Sequence, residues 1–183
     1  MTVLRRGLDL ALATLVAAVL LVGLTAYLAP AVDGRALAIR SGSMAPAIGV
    51  GSLVVAVPQD PATLQVGDVV TVTLAGGTVL THRIDAVVQQ DDRRMFRLRG
   101  DANPGPDPTL VTQDQLLGRV VVTVPILGYL LAMMSMPIGV LSLLSIGASL
   151  LAAAWLVDEL DDAKDADKKP ERRYAREIIR GSR

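Results

Sequence analysis

Two long uncharged runs bracket a stretch in which apolar and polar residues alternate. The first, Leu10 to Val32, holds 23 residues without Asp, Glu, Lys or Arg, and about 20 helical residues are enough to cross a hydrocarbon core. It predicts a membrane-spanning helix over 10–32. The second, Val120 to Val157, holds 38 residues, about twice the length of a single span. Pro125 and Pro137 divide it, because proline lacks an amide donor and clashes with the preceding helical turn. The Leu-, Ala- and Ser-rich piece 138–157, with Trp155 near its end, is the second predicted span, and 125–137 is an apolar segment expected at the membrane surface.

Between the spans the period changes to two. Ser52 to Val57 is a β-branched run ended by Pro58; Val69 to Leu74 alternates Val with Thr; Gly76-Gly77 supplies a hairpin turn into Thr78 to Val88. Asp91-Asp92 turns the chain again, Met95 to Leu98 is short and strand-like, and Arg119 to Val124 is a last β-branched run. The expected fold is therefore mainly β, a compact domain over 33–124 between two transmembrane helices. The loop from Gly100 to Pro108 carries three prolines and two glycines, an irregular, exposed segment of the kind that holds functional groups.

Charge sets the expected orientation. The 183 residues balance 18 basic against 18 acidic side chains, but their placement is uneven. Arg5 and Arg6 precede the first span, whereas Lys164, Lys168, Lys169, Arg172, Arg173, Arg176 and Arg180 follow the second. By the positive-inside tendency the short segment 1–9 and the charged tail 158–183 are cytoplasmic, and 33–124 faces outward from a cell membrane crossed twice. The competing reading of 10–32 is a cleavable signal peptide, with Arg5-Arg6 in front and Ala29 and Ala31 in an A-x-A arrangement. The apolar run exceeds the 7–15 residues of a signal h-region. Aromatic content of 3% and zero net charge leave neither a stacking platform nor a basic stripe, so nucleic-acid binding is not expected. With no Cys and a single His, neither thiol chemistry nor a His-rich zinc site is expected.

The chemistry narrows to few residues. Ser43 stands in Ser41-Gly42-Ser43-Met44-Ala45-Pro46, the lone histidine His82 lies in a strand pattern, and Asp101 and Asp107 fall in the proline-rich loop. Serine, histidine and aspartate are the types that base-activated acyl transfer requires. Asp101, Asn103, Gly105 and Asp107 also alternate like the oxygen ligands of a calcium loop, but Thr112 stands where such a loop needs glutamate. Asp101 and Asp107 as simple turn formers is the plainer alternative.

At these residues the chain resembles the type I signal peptidases, in the Ser/His branch of the endoplasmic reticulum, archaea and some Gram-positive bacteria. The matching blocks are SGSMAP at 41–46, GDVV at 67–70, LTHRI at 80–84, RGDANPGPD at 99–107 and GRVVVTVPILGY at 118–129. The resemblance implies Ser43 as nucleophile, His82 as general base and Asp107 as its acidic partner. It implies Asp101 as a supporting acid, and Ser41 as a hydroxyl that joins the Ser43 backbone N–H in an oxyanion hole; Asp101 is expected to hold the proline-rich loop through turn hydrogen bonds or a neighbouring arginine such as Arg83 or Arg99. The family often has paired asparagines and paired aspartates in the fourth block; here one of each is missing. The implied activity is a membrane-bound serine endopeptidase, without metal or organic cofactor. It would remove signal peptides from exported preproteins by cutting after small residues, with the lipid bilayer and a secretion translocon as partners. Two alternatives stand beside it: a two-span membrane protein with a non-catalytic binding or scaffold domain, and a narrow processing protease for one pilin- or matrix-like substrate.

Overall fold

The computed structural model describes residues 3–90 and 93–181, with side chains described as far as 164. Asp91-Asp92, read above as a turn, and the end of the charged tail lie outside the described residues. The chain divides into two compact units, Met1–Ala17 with Val140–Arg183, and Ala18–Gly139.

In the first unit, the opening turns of α1 (Val3–Leu28) accompany α3 (Pro137–Gly181). The stretches Val3–Val32 and Pro137–Lys164 are each long and apolar enough to cross a membrane. Arg5 ties them at one end: its guanidinium lies 2.6 Å from Asp9 and 3.0 Å from Asp158. Pro137 opens α3 rather than interrupting it, since the first turn of a helix has no amide bond for proline to break. The helix runs on past Val157, the expected end of the span, because Leu160, Ala163 and Lys164 are good helix formers and leaving an apolar solvent does not itself stop a helix.

The second unit is a six-stranded antiparallel sheet in the order β1-β2-β6-β3-β4-β5. Its strands are β1 (Arg35–Ala38), β2 (Leu53–Val57), β3 (Val69–Thr73), β4 (Val79–Gln90), β5 (Arg93–Arg99) and β6 (Leu116–Val124). Mainly β with a helical part is the class observed. Five strands coincide with predicted runs. β1 does not, because four residues without a β-branched side chain form a strand only through their pairing with β2, from Arg35↔Ala56 to Ala38↔Leu53. β5 is longer than expected, because Arg94, on the same side as Phe96 and Leu98, breaks the apolar alternation at its start.

Two apolar clusters divide the sheet. Leu64, Val70, Val72, Ile84, Phe96, Leu98 and Val111 pack at the β3–β4–β5 end. Ile39, Met44, Ile48 and Val54 pack at the β1–β2 end, with Val69 and Val120 against them. β6, paired on one side with β2 and on the other with β3, joins the two ends.

The apolar segment after β6 folds as a short helix, α2 (Leu127–Met134). It is pinned to the sheet at Gly128, whose N–H donates to the Gly51 carbonyl at 2.9 Å. A Cβ on Gly128 would lie 2.2 Å from the Ser52 carbonyl oxygen, so any other residue would lift the helix off β2.

Phe96 is fully buried and its backbone exchanges two hydrogen bonds with Val111. Phe96→Ala keeps those bonds and removes only the ring, so it is expected to cost about 3–5 kcal/mol in denaturant unfolding of the detergent-solubilised protein. An unchanged midpoint would show that the ring does not hold this cluster.

Candidate active site

Ser43 is placed by the anchors on either side of it. Before it, Ile39 continues the β1–β2 ladder by donating to the Ser52 carbonyl at 2.9 Å. After it, Met44 and Ile48 are buried in the β1–β2 cluster, and the Ile48 N–H donates to the Met44 carbonyl at 2.8 Å. The serine thus sits at the top of a turn whose two ends cannot drift.

His82 stands on β4 opposite Val70. Strand alternation gives it the same face as Leu80 and Ile84, which explains an exposure of only 4% for an imidazole. Its Nε2 lies 3.0 Å from Ser43 Oγ and its Nδ1 lies 2.7 Å from Asp107 Oδ2. With the carboxylate accepting from Nδ1–H, the neutral ring presents an acceptor to the serine hydroxyl. Ser41 Oγ stands 3.2 Å from Ser43 Oγ.

The proline-rich loop brings both acids to β4. It leaves β5 at Gly100, donates from the Ala102 N–H to the Ser43 carbonyl at 2.8 Å, and returns through the Asp107 N–H to the Leu98 carbonyl at 2.8 Å. Asp107 is thereby fixed by its own backbone to the strand beside His82. Asp101 reaches the other face, where Arg83 Nε and Nη2 bind its two carboxylate oxygens at 2.8 and 2.7 Å. Arg83 also donates to the Gly67 carbonyl at 2.8 Å. Of the two arginines named beside Asp101, the fork belongs to Arg83. That hydrogen-bonded guanidinium holds the Asp101 carboxyl below its ordinary range, and Asp101 in turn raises Arg83.

Gly100 was not singled out in the sequence. The register Arg83↔Arg99 carries it toward His82; a Cβ there would lie 2.6 Å from the Ser43 carbonyl oxygen and 2.9 Å from His82 Nε2. Only glycine leaves room for the serine and the imidazole to meet.

A cleft of about 920 Å3 opens beside Ser43, lined among others by Ala36, Ala38, Arg40, Thr81, Leu131 and Met136. Two backbone edges border it. β1 pairs on one side only, with β2, and the Val79–His82 part of β4 pairs only with β3, since β5 joins at Arg83. The signal for this cleft in the sequence is the two-residue spacing of Ala36, Ala38 and Arg40, illegible while β1 is unrecognised. Among the described residues no group of three or more His, Asp or Glu has metal-holding spacing.

No family model matches the chain. It is 37% identical over 89 residues to signal peptidase I W of Bacillus subtilis strain 168, a match covering 48% of this chain and 47% of that protein. The chain thus spans about half the length of the curated relative it matches. The similarity supports a relationship to the type I signal peptidases.

The Arg83–Asp101 pair has a pH signature. A carboxylate whose folded pKa is depressed contributes stability that is present above the unfolded value of about 3.9 and is lost as pH falls through the folded one. Because Arg83 is partly exposed (36%), solvent screening limits the contribution, and Asp101→Asn is expected to lower stability by about 1 kcal/mol at neutral pH. The unfolding free energies of the two proteins should converge below about pH 4. A gap of constant size down to strong acid would remove the ion pair as its cause.

Proposed function

We propose that this chain is a membrane-bound serine endopeptidase that removes N-terminal signal peptides from exported preproteins, cutting after small residues, with a Ser nucleophile and a His base as in the Ser/His branch. The observation that carries the reading is the hydrogen-bonded series Ser43 Oγ, His82 Nε2, His82 Nδ1 and Asp107 Oδ2, at 3.0 and 2.7 Å, opening on a cleft with two free strand edges. The similarity to a signal peptidase of Bacillus subtilis supports the choice of substrate.

In this mechanism Ser43 Oγ attacks the scissile carbonyl while His82 Nε2 takes its proton. Asp107 holds the ring in the tautomer that can do so and stabilises the imidazolium that forms. The Ser43 backbone N–H, with the Ser41 hydroxyl beside it, receives the developing oxyanion, a kind of donor whose removal typically costs about 100- to 1,000-fold in rate. The imidazolium returns its proton to the leaving amine. Water, activated by the same imidazole, then resolves the acyl-enzyme. Asp101 acts through the loop, keeping Asp107 and Gly100 in place against β4.

An extended substrate segment entering the cleft would hydrogen-bond to the β1 and β4 edges, which makes few demands on sequence. Ala36 and Ala38 leave shallow space that suits small substrate side chains. The two apolar helices anchor the domain to the bilayer, with both termini on the cytoplasmic side. Support comes from the basic flanks and from Arg5, whose contact with Asp158 sets the start of one span beside the end of the other. Exposed Ile126 and Met136 at the two ends of α2 suit shallow contact with lipid. The partners are signal-peptide-bearing preproteins, the lipid bilayer and a secretion translocon.

Incubating the detergent-solubilised protein with a preprotein and locating new N-termini by mass spectrometry tests the reading. Cleavage after an A-x-A site is expected, with complete loss in Ser43→Ala and a loss of about 10,000-fold in Asp107→Asn. Processing by Ser43→Ala at the parent rate would refute the mechanism.

A further inference from the structure

The alternation along β1 separates two sets of side chains. Leu37 and Ile39 pack into the cluster with Met44, Ile48 and Val54, so Ala36, Ala38 and Arg40 share the opposite side of the strand; the whole run 36–40 borders the cleft. Ala36 and Ala38 are small, and Arg40 ends the row next to Ser41, whose hydroxyl is 3.2 Å from that of Ser43. Among the described residues, Arg40 is the single charged side chain lining the cleft; the rest are aliphatic residues, methionines, glycine and hydroxyl residues. Arg40 is exposed and has no ion pair or hydrogen bond among the described residues, in contrast to Arg83, Arg97 and Arg119, each of which has an aspartate.

An unpaired guanidinium in a cleft without a carboxylate gives the cleft a sign. We propose that Arg40 is a specificity determinant: it favours Asp or Glu in the substrate residues flanking the scissile bond and disfavours Lys or Arg there. The inference rests on the reading that the cleft takes an extended peptide substrate. An arriving carboxylate gains a charge-assisted hydrogen bond from a donor with no competing partner, and its position can be fixed by the planar fork of the guanidinium. An arriving ammonium meets repulsion with nothing in the lining to offset it. Each effect is that of a solvent-exposed pair, and the two together separate an Asp peptide from a Lys peptide by about tenfold. Because the groups remain accessible to ions, the separation shrinks as salt shortens the screening length.

The test uses the 183-residue chain in detergent and peptides that share one A-x-A site, with Asp, Asn or Lys placed at one position at a time around the scissile bond. For the parent, kcat/KM is expected to fall in the order Asp, Asn, Lys at one or two positions by about tenfold overall. Arg40→Lys should keep the order, Arg40→Gln should flatten it and Arg40→Glu should reverse it. Equal rates for the three peptides at every position, or an Asp preference that survives in Arg40→Glu, would overturn the proposal. Fluorescence polarisation with the same labelled peptides and Ser43→Ala reads the charge preference without chemistry. If Ser43→Ala still cleaves, the serine mechanism fails, while the binding order continues to report on Arg40. If the peptides bind Ser43→Ala with no charge order, the Arg40 proposal fails and the serine mechanism stands.

Discussion

The loop from Gly100 to Pro108 grips β4 from both faces, and the geometry of the site depends on that grip. Adjacent residues of a strand point to opposite sides, so His82 and Arg83 can be engaged together only by a loop that passes around the strand. Asp107 meets the imidazole and Asp101 meets the guanidinium, while the loop backbone bonds to Ser43 at one end and to Leu98 at the other. Three prolines reduce the number of conformations this loop loses when it closes. The Arg83–Asp101 fork is the stronger of the two attachments in hydrogen-bond count, and it lies away from the reacting atoms. A mechanical hold and a chemical contact are in this way divided between neighbouring residues.

The division matters because the proposed mechanism needs one imidazole nitrogen held by a carboxylate and the other left free to accept a proton. Asp107 contacts only the far nitrogen, Nδ1, and leaves Nε2 to the serine. Burial beside Leu80 and Ile84 removes competing water from the ring. Close approach is also permitted on the Gly100 side, where the absent side chain leaves the space that the Ser43–His82 bond occupies. A preorganised donor and acceptor pair of this kind would need no rearrangement for the proton transfer of the proposed mechanism.

Much of this was legible in the sequence, and the exceptions have physical causes. Periodicity marked the β runs that became β2, β3, β4, β5 and β6, and length marked the two apolar helices. Ser43, His82, Asp101 and Asp107 were nameable because the chain has one histidine and because the motif blocks bear on few residues. Spacing alone could not bring them together, since 39 positions separate Ser43 from His82 and 25 separate His82 from Asp107; only the family resemblance implied their meeting. β1 stayed hidden because its strand character is imposed by pairing rather than by its own residues, and with it the row Ala36, Ala38 and Arg40. Gly100 was invisible for another reason: what matters there is an absent Cβ at a cross-strand position, which only the register of β4 and β5 reveals.

The serine and the histidine ride on different cores. Ser43 is set by Met44 and Ile48 in the β1–β2 cluster, whereas His82 and Asp107 are set by strands built on the β3–β4–β5 cluster, and β6 is the ladder between them. A chain with one cluster formed and the other not yet formed holds a hydroxyl or an imidazole, but not both in reach. On the proposed mechanism, hydrolytic competence is therefore a property of the finished sheet. During synthesis, and in any partly opened state, a protein working by that mechanism would be chemically silent toward its neighbours, because β6, the last of the described strands in chain order, is also the one that brings the two halves together.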